Sequence, residues 1–97
     1  MAKLIKLVES PIQGKKYRVY LEVDGKEQHV DFGAAGYQDY TKHKEEARKA
    51  LYLGRHKTRE DWTKSGILTA GFWARWILWN QKTIAASLAD VRQRFDL

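Results

Sequence analysis

Between Lys42 and Arg59 the chain carries seven Lys/Arg and two acids, a local excess of +5 in a protein of net charge +6. Lys44, Arg48, Tyr52, Arg55 and Arg59 recur at i, i+4, i+8, i+11 and i+15. A helix running that far brings them to one face. Cations on such a face neutralise phosphates, and aromatic side chains among them stack on bases or bond phosphate oxygens. The aromatic and imidazole residues here are Tyr37, Tyr40, Tyr52, His43 and His56. The candidate surface for nucleic acid or another polyanion is therefore Lys42, Lys44, Arg48, Lys49, Tyr52, Arg55, Lys57 and Arg59. A charged face that serves solubility alone, with Glu45 and Glu46 in local ion pairs, predicts the same composition. No zinc-finger spacing, RNP motif or KH loop accompanies the charge.

Support for catalysis is thin. His29 and Asp31 alternate on a predicted strand and point the same way. With His43 or His56 they would begin a metal site, but the spacing supplies no well-placed third ligand. Asp31 also has a partner at hand in Arg18. Gly33-Ala34-Ala35-Gly36 lacks the Gly-Lys-Ser/Thr ending of a phosphate loop and does not feed directly into a helix, so it reads as a turn. Ser10, Ser65 and Ser87 sit in no elbow or triad context. There is no cysteine, hence no disulfide and no thiolate metal site. The expectation is a non-enzymatic protein with no catalytic residue, no metal site and no cofactor.

The basic stretch needs a core to stand on. Thr69 to Asn80 holds Phe72, Trp73, Trp76, Ile77, Leu78 and Trp79, three of the four tryptophans in the chain. Phe72, Trp76 and Trp79 fit one helix face at i, i+4, i+7, with Trp73 and Ile77 widening it. Thr69 is the expected N-cap. The apolar run is far shorter than the roughly 20 residues of a bilayer crossing, so a buried helix over 69–79 is expected and no membrane span. Ile84, Leu88, Val91 and Phe95 form the stripe of a second amphipathic helix, 83–95, capped by Thr83. The basic stretch itself reads as a helix over 42–56, capped by Thr41. Its narrow inner side would be Ala47, Ala50, Leu51 and Gly54.

Upstream, residues 3–8 read as a strand, and Tyr17 to Val23 alternates apolar and polar. Asp24-Gly25 is a two-residue hairpin turn with positive φ at both positions. It sets a register over 16–23/26–32: Val23 with Lys26, Leu21 with Gln28, Val19 with Val30, Tyr17 with Phe32. The outer face then pairs Arg18 with Asp31 and Tyr20 with His29. A lone hairpin is marginal in water, so the N-terminal strand and the tryptophan helix must complete it. The chain of 97 residues is one domain, 1–97. Its fold class is α+β, a small antiparallel sheet packed against about three helices.

An alternative function rests on the aromatic excess. Tyr20, Tyr37, Tyr40 and Trp62 can anchor a protein partner, or a second copy in a homo-oligomer. For Trp62 the favoured reading is a lid folded over the core, ahead of an exposed anchor. The N-terminal residues have no long apolar stretch ahead of a small-residue cleavage site, so no secretion signal is expected.

Val30-Asp-Phe-Gly33, Gly36-Tyr37, Asp39-Tyr-Thr-Lys-His-Lys44, Arg55-His-Lys57, Arg59-Glu-Asp-Trp62, Ser65-Gly66, Thr69-Ala-Gly-Phe-Trp73, Arg75-Trp76 and Leu78-Trp-Asn80 together resemble a family of small proteins of unknown function encoded by large DNA viruses of algae and protists. The likeness spans about residues 17–80. It implies a viral origin and a virion- or genome-associated role. Nucleic acid or other viral structural proteins would be the partners, inside the virion or the host cell. It transfers no catalytic or binding residue.

Overall fold

A computed structural model describes residues 1–97. Three antiparallel strands come first: β1 (Ala2–Glu9), β2 (Lys15–Val23) and β3 (Lys26–Ala34), in the order β1-β2-β3. The hairpin register is the one set by the Asp24-Gly25 turn, from Val23↔Lys26 through Leu21↔Gln28 and Val19↔Val30 to Tyr17↔Phe32. Asp24 and Gly25 sit at φ 53° and 82°, the positive values of a type I′ turn. β1 pairs with β2 from Ala2↔Val23 to Glu9↔Tyr17, with one irregularity between Leu4 and Lys6. Both strands of the hairpin run slightly beyond the expected 16–23/26–32.

Leu4, Val19, Leu21, Val30 and Phe32 make the buried face of the sheet. The opposite face is polar and tied laterally. Arg18 donates from Nε and Nη2 to the two oxygens of Asp31 at 2.9 and 3.1 Å, and Ser10 adds a hydroxyl at 2.6 Å. These bonds hold the Asp31 carboxyl below its ordinary range, the Arg18 contact contributing most.

The buried face is covered by the tryptophan segment. Thr69 caps α3 (Ala70–Trp73) by accepting from Phe72 N at 3.3 Å. The chain then continues as a π-helical turn, Ala74–Leu78, in which Trp79 N donates to Ala74 O at 3.1 Å. The expected straight helix over 69–79 is thus only one regular turn long before it widens. The extra residue in the π turn rotates the residues beyond it. Phe72 and Trp76 still share a stripe and meet Phe95, with ring centroids 5.0 and 5.3 Å apart. Trp79 leaves that stripe and faces another part of the molecule. The last helix, α4 (Ile84–Phe95), is capped by Thr83, which accepts from Ala86 N at 3.1 Å. Its Ile84, Leu88, Val91 and Phe95 pack on the core as expected.

The indole N–H groups of the two buried core tryptophans are satisfied. Trp73 Nε1 donates to Ile67 O at 2.7 Å, and Trp76 Nε1 donates to Trp62 O at 2.9 Å. Trp62 lies half-buried against the core, in the lid position. No helix is long and apolar enough to cross a membrane.

Trp73→Ala removes the largest wholly buried side chain and leaves Ile67 O without its donor. It should cost about 3–5 kcal/mol in denaturant unfolding. Gly33 sits at φ 81°, and a Cβ there would lie 2.8 Å from Leu78 Cδ1. Gly33→Ala should therefore lower stability by about 1–3 kcal/mol, whereas Gly14→Ala, with open space around it, meets only the backbone part of that penalty.

Candidate nucleic-acid interface

The basic stretch is two helices, not one helix over 42–56. α1 (Tyr40–His43) is a single turn and α2 (Glu46–His56) comes after it. Asp39, and not Thr41, caps α1: its Oδ1 accepts from Thr41 N at 2.9 Å and from the Thr41 hydroxyl. Lys44 then takes φ 55°, and its N–H closes the turn on Tyr40 O at 2.9 Å. His43 Nδ1 accepts from Glu45 N at 3.0 Å, which occupies a donor that a continuous helix would have sent back up the chain. These local bonds outcompete the helix ladder across Lys44 and Glu45.

α2 has no buried residue. The side turned to the protein is Lys49, Tyr52, Leu53 and His56, all half-buried, while Ala47, Ala50, Leu51 and Gly54 face solvent. The small residues expected on the inner side are therefore on the outer one. Tyr52 explains the choice. Its ring stacks on Trp79 with centroids 4.2 Å apart and planes within 4°, and on His56 at 4.2 Å. An aromatic stack outweighs a row of alanines that bury little. Desolvation by burial, reinforced by nearby Glu60, raises the Tyr52 pKa well above its ordinary value.

Lys49 also points inward. Its Nζ donates to Asn80 O at 2.7 Å and lies 4.7 Å from the Tyr40 ring centroid. Burial pushes its pKa down, and Arg75 adds to that effect. Lys49 and Tyr52 thus hold α2 in place and do not lie on its outer surface.

Lys42, Lys44, Arg48, Arg55, Lys57 and Arg59 are exposed. Among them only Arg48 meets a carboxylate, Glu45 at 3.5 Å and in the open, a pair worth a fraction of a kcal/mol. Glu46 accepts from the Tyr40 hydroxyl at 2.8 Å instead. Arg48 and Arg55 lie on the flank of α2 next to Tyr52 and His56, since three- and four-residue spacings are neighbours on a helix. Arg59 lies beyond the end of the helix, in the turn that follows, with Nη2 donating to Arg55 O at 3.3 Å.

The aromatic set of the alternative reading is dispersed. Tyr40 is 2% exposed and Trp62 is packed, so neither is a free anchor. Tyr20 is half-buried on the outer sheet, with Lys6 over its ring at 5.1 Å. Tyr37 stands out at 74% exposed.

Beneath α2 lies a cleft of about 410 Å³, which no residue spacing in the chain locates. The Tyr52–Trp79 stack walls one side, Gly33, Ala74 and Leu78 line it, and Tyr37 and Gln38 stand beside it. Two carboxylates reach it, each already engaged. Asp39 takes Lys16 Nζ at 2.5 Å, and Glu60 takes His56 Nδ1 at 3.0 Å and Trp62 Nε1 at 2.9 Å. The structure contains no group of three His, Cys, Asp or Glu close enough to hold a metal ion.

Fold and surface together define a small α+β module that carries an exposed cationic helix over an aromatic cleft. A model described as "Family of unknown function (DUF5754)" matches residues 5–56, and the chain belongs to that family. The match begins within β1, takes in β2, β3, α1 and α2, and ends before the tryptophan segment. No curated protein and no solved structure matches the chain.

The raised Tyr52 pKa has a consequence above pH 10. The unfolded chain releases the phenolic proton near the ordinary value of 10.0 while the folded chain keeps it. That contribution to stability is present below pH 10 and is lost as pH rises through the native value. Thermal unfolding of the wild type should therefore fall more steeply above pH 10 than that of Tyr52→Phe, and parallel curves would show a freely solvated phenol.

Proposed function

We propose that this chain is a non-enzymatic module that contacts nucleic acid or another polyanion through the outward cations of α1 and α2. One observation carries the reading: five exposed Lys/Arg on and around α1 and α2, Lys42, Lys44, Arg55, Lys57 and Arg59, have no carboxylate within ion-pair distance. Glu45 and Glu46 are the acids of this stretch and leave those five cations unpaired, an excess of one sign where a surface built for solubility commonly intersperses both. The resemblance to small proteins of large DNA viruses supports a viral origin and a virion- or genome-associated role, in the virion or the host-cell interior. The adaptor reading has weaker support, because Tyr40 and Trp62 are engaged inside the fold.

Mixed-sequence DNA and RNA should bind at low salt and weaken steeply as salt rises. With about three phosphates neutralised, raising salt from about 50 to 200 mM should reduce affinity roughly fortyfold. Arg48→Glu with Arg55→Glu should weaken binding at least about tenfold while leaving the unfolding midpoint within experimental error, since both side chains are exposed. Absence of binding at any salt, or binding indifferent to salt, would overturn the proposal.

A further inference from the structure

Resting on that reading, we infer that the polyanion is single-stranded nucleic acid and that the cleft beneath α2 receives one of its bases. The cleft of about 410 Å³ adjoins a second hollow of about 450 Å³, and the two share Lys16, Tyr37 and Gln38. Tyr37 is 74% exposed, a large aromatic face left in water where the two hollows meet. Gln38 beside it is exposed as well and presents an amide with both donors and an acceptor, the groups that read base edges. The volume lies at the lower end of the range for small-ligand sites, enough for one base.

Charge decides which part of a nucleotide goes where. Inside the cleft Asp39 is paired with Lys16, and Glu60 is hydrogen-bonded to His56 and Trp62. No unpaired cation remains there to draw a phosphate in. A neutral base enters such a space without a charge penalty, whereas a phosphate would face two carboxylates. The free cations stand outside. Arg48 and Arg55 precede and succeed Tyr52 by four and three residues, one step out from the aromatic wall, and Lys42 lines the second hollow. A backbone running from Lys42 past Tyr37 to Arg55 keeps its phosphates on this rim and turns a base inward. Bases in a duplex are stacked on both faces and cannot make that turn, but single strands can.

The test is a binding titration with a short mixed-sequence single strand, the matching duplex, and inorganic polyphosphate as a base-free polyanion. The single strand should bind at least about tenfold more tightly than the duplex. Tyr37→Ala should weaken the single strand about tenfold and leave polyphosphate unchanged, and Tyr37→Phe should restore the affinity. Ala70→Leu, on an exposed residue that lines the cleft, should have the same selective effect by filling it. Equal affinity for strand and duplex, or a single-strand preference that neither Tyr37→Ala nor Ala70→Leu touches, would overturn the inference while the polyanion reading stands. Failure of all three probes to bind would overturn both.

Discussion

The stack of Tyr52 on Trp79 is the contact on which the arrangement of the surface depends. α2 contributes nothing wholly buried to the fold, so its orientation is set by the few groups it lends inward. Tyr52 supplies the largest of these, and Lys49 adds a hydrogen bond to the Asn80 carbonyl. Because Tyr52 faces Trp79, Arg48 and Arg55 are fixed on the adjoining flank, and the small residues are left in water. A different anchor on this helix would turn a different set of charges outward.

Trp79 is available for that contact because the tryptophan segment changes its winding. In a regular helix Trp79 would continue the stripe of Phe72 and Trp76 and end against α4. The π turn over Ala74–Leu78 moves it round to α2 and sets Leu78 under the sheet, close to Gly33. The same distortion thus serves both the core and the wall of the cleft. Asn80 closes the segment, with its amide donating to Trp76 O at 3.2 Å and to Asp90 at 2.7 Å. The joint between the tryptophan segment and α4 is accordingly held by hydrogen bonds as well as by ring contacts.

Elements with a single dominant local signal are legible in the sequence. The Asp24-Gly25 turn sets the hairpin register pair by pair, including Arg18 with Asp31, because a two-residue loop allows one alignment. Thr69 and Thr83 mark their helix starts for the same kind of reason. Where two signals compete, local pattern misleads. The charge pattern suggests one helix from Lys42 onward, but Asp39 and His43 offer side-chain bonds that divide it. The alanines of α2 suggest a close inner side, but a distant tryptophan decides which side faces in. The cleft is not legible, since it forms between β3, α2 and the tryptophan segment, and no spacing within any one of them encodes it. Exposed cations can be named, but Lys49 and Tyr52 show that helical spacing alone does not tell an outer residue from a supporting one.

Arg75, like Lys49, is held by aromatic rings and a backbone carbonyl and not by a carboxylate. Its guanidinium lies 5.5 and 4.2 Å from the rings of Trp62 and Trp76, and Nη1 donates to Trp79 O at 2.8 Å. Neither an indole nor a peptide carbonyl takes up a proton in the range where carboxylates do, so acid leaves these contacts of Arg75 as they are. The clasp on the outer sheet face behaves otherwise. Asp31 has its pKa depressed in the fold, so its contribution is complete above the unfolded carboxylate value and disappears as pH falls through the native one. Acidification therefore loosens the sheet from its solvent side and also weakens the Asn80–Asp90 bond, whose carboxyl is likewise depressed, by Asn80 first, while the contacts of Arg75 with the indoles keep their grip.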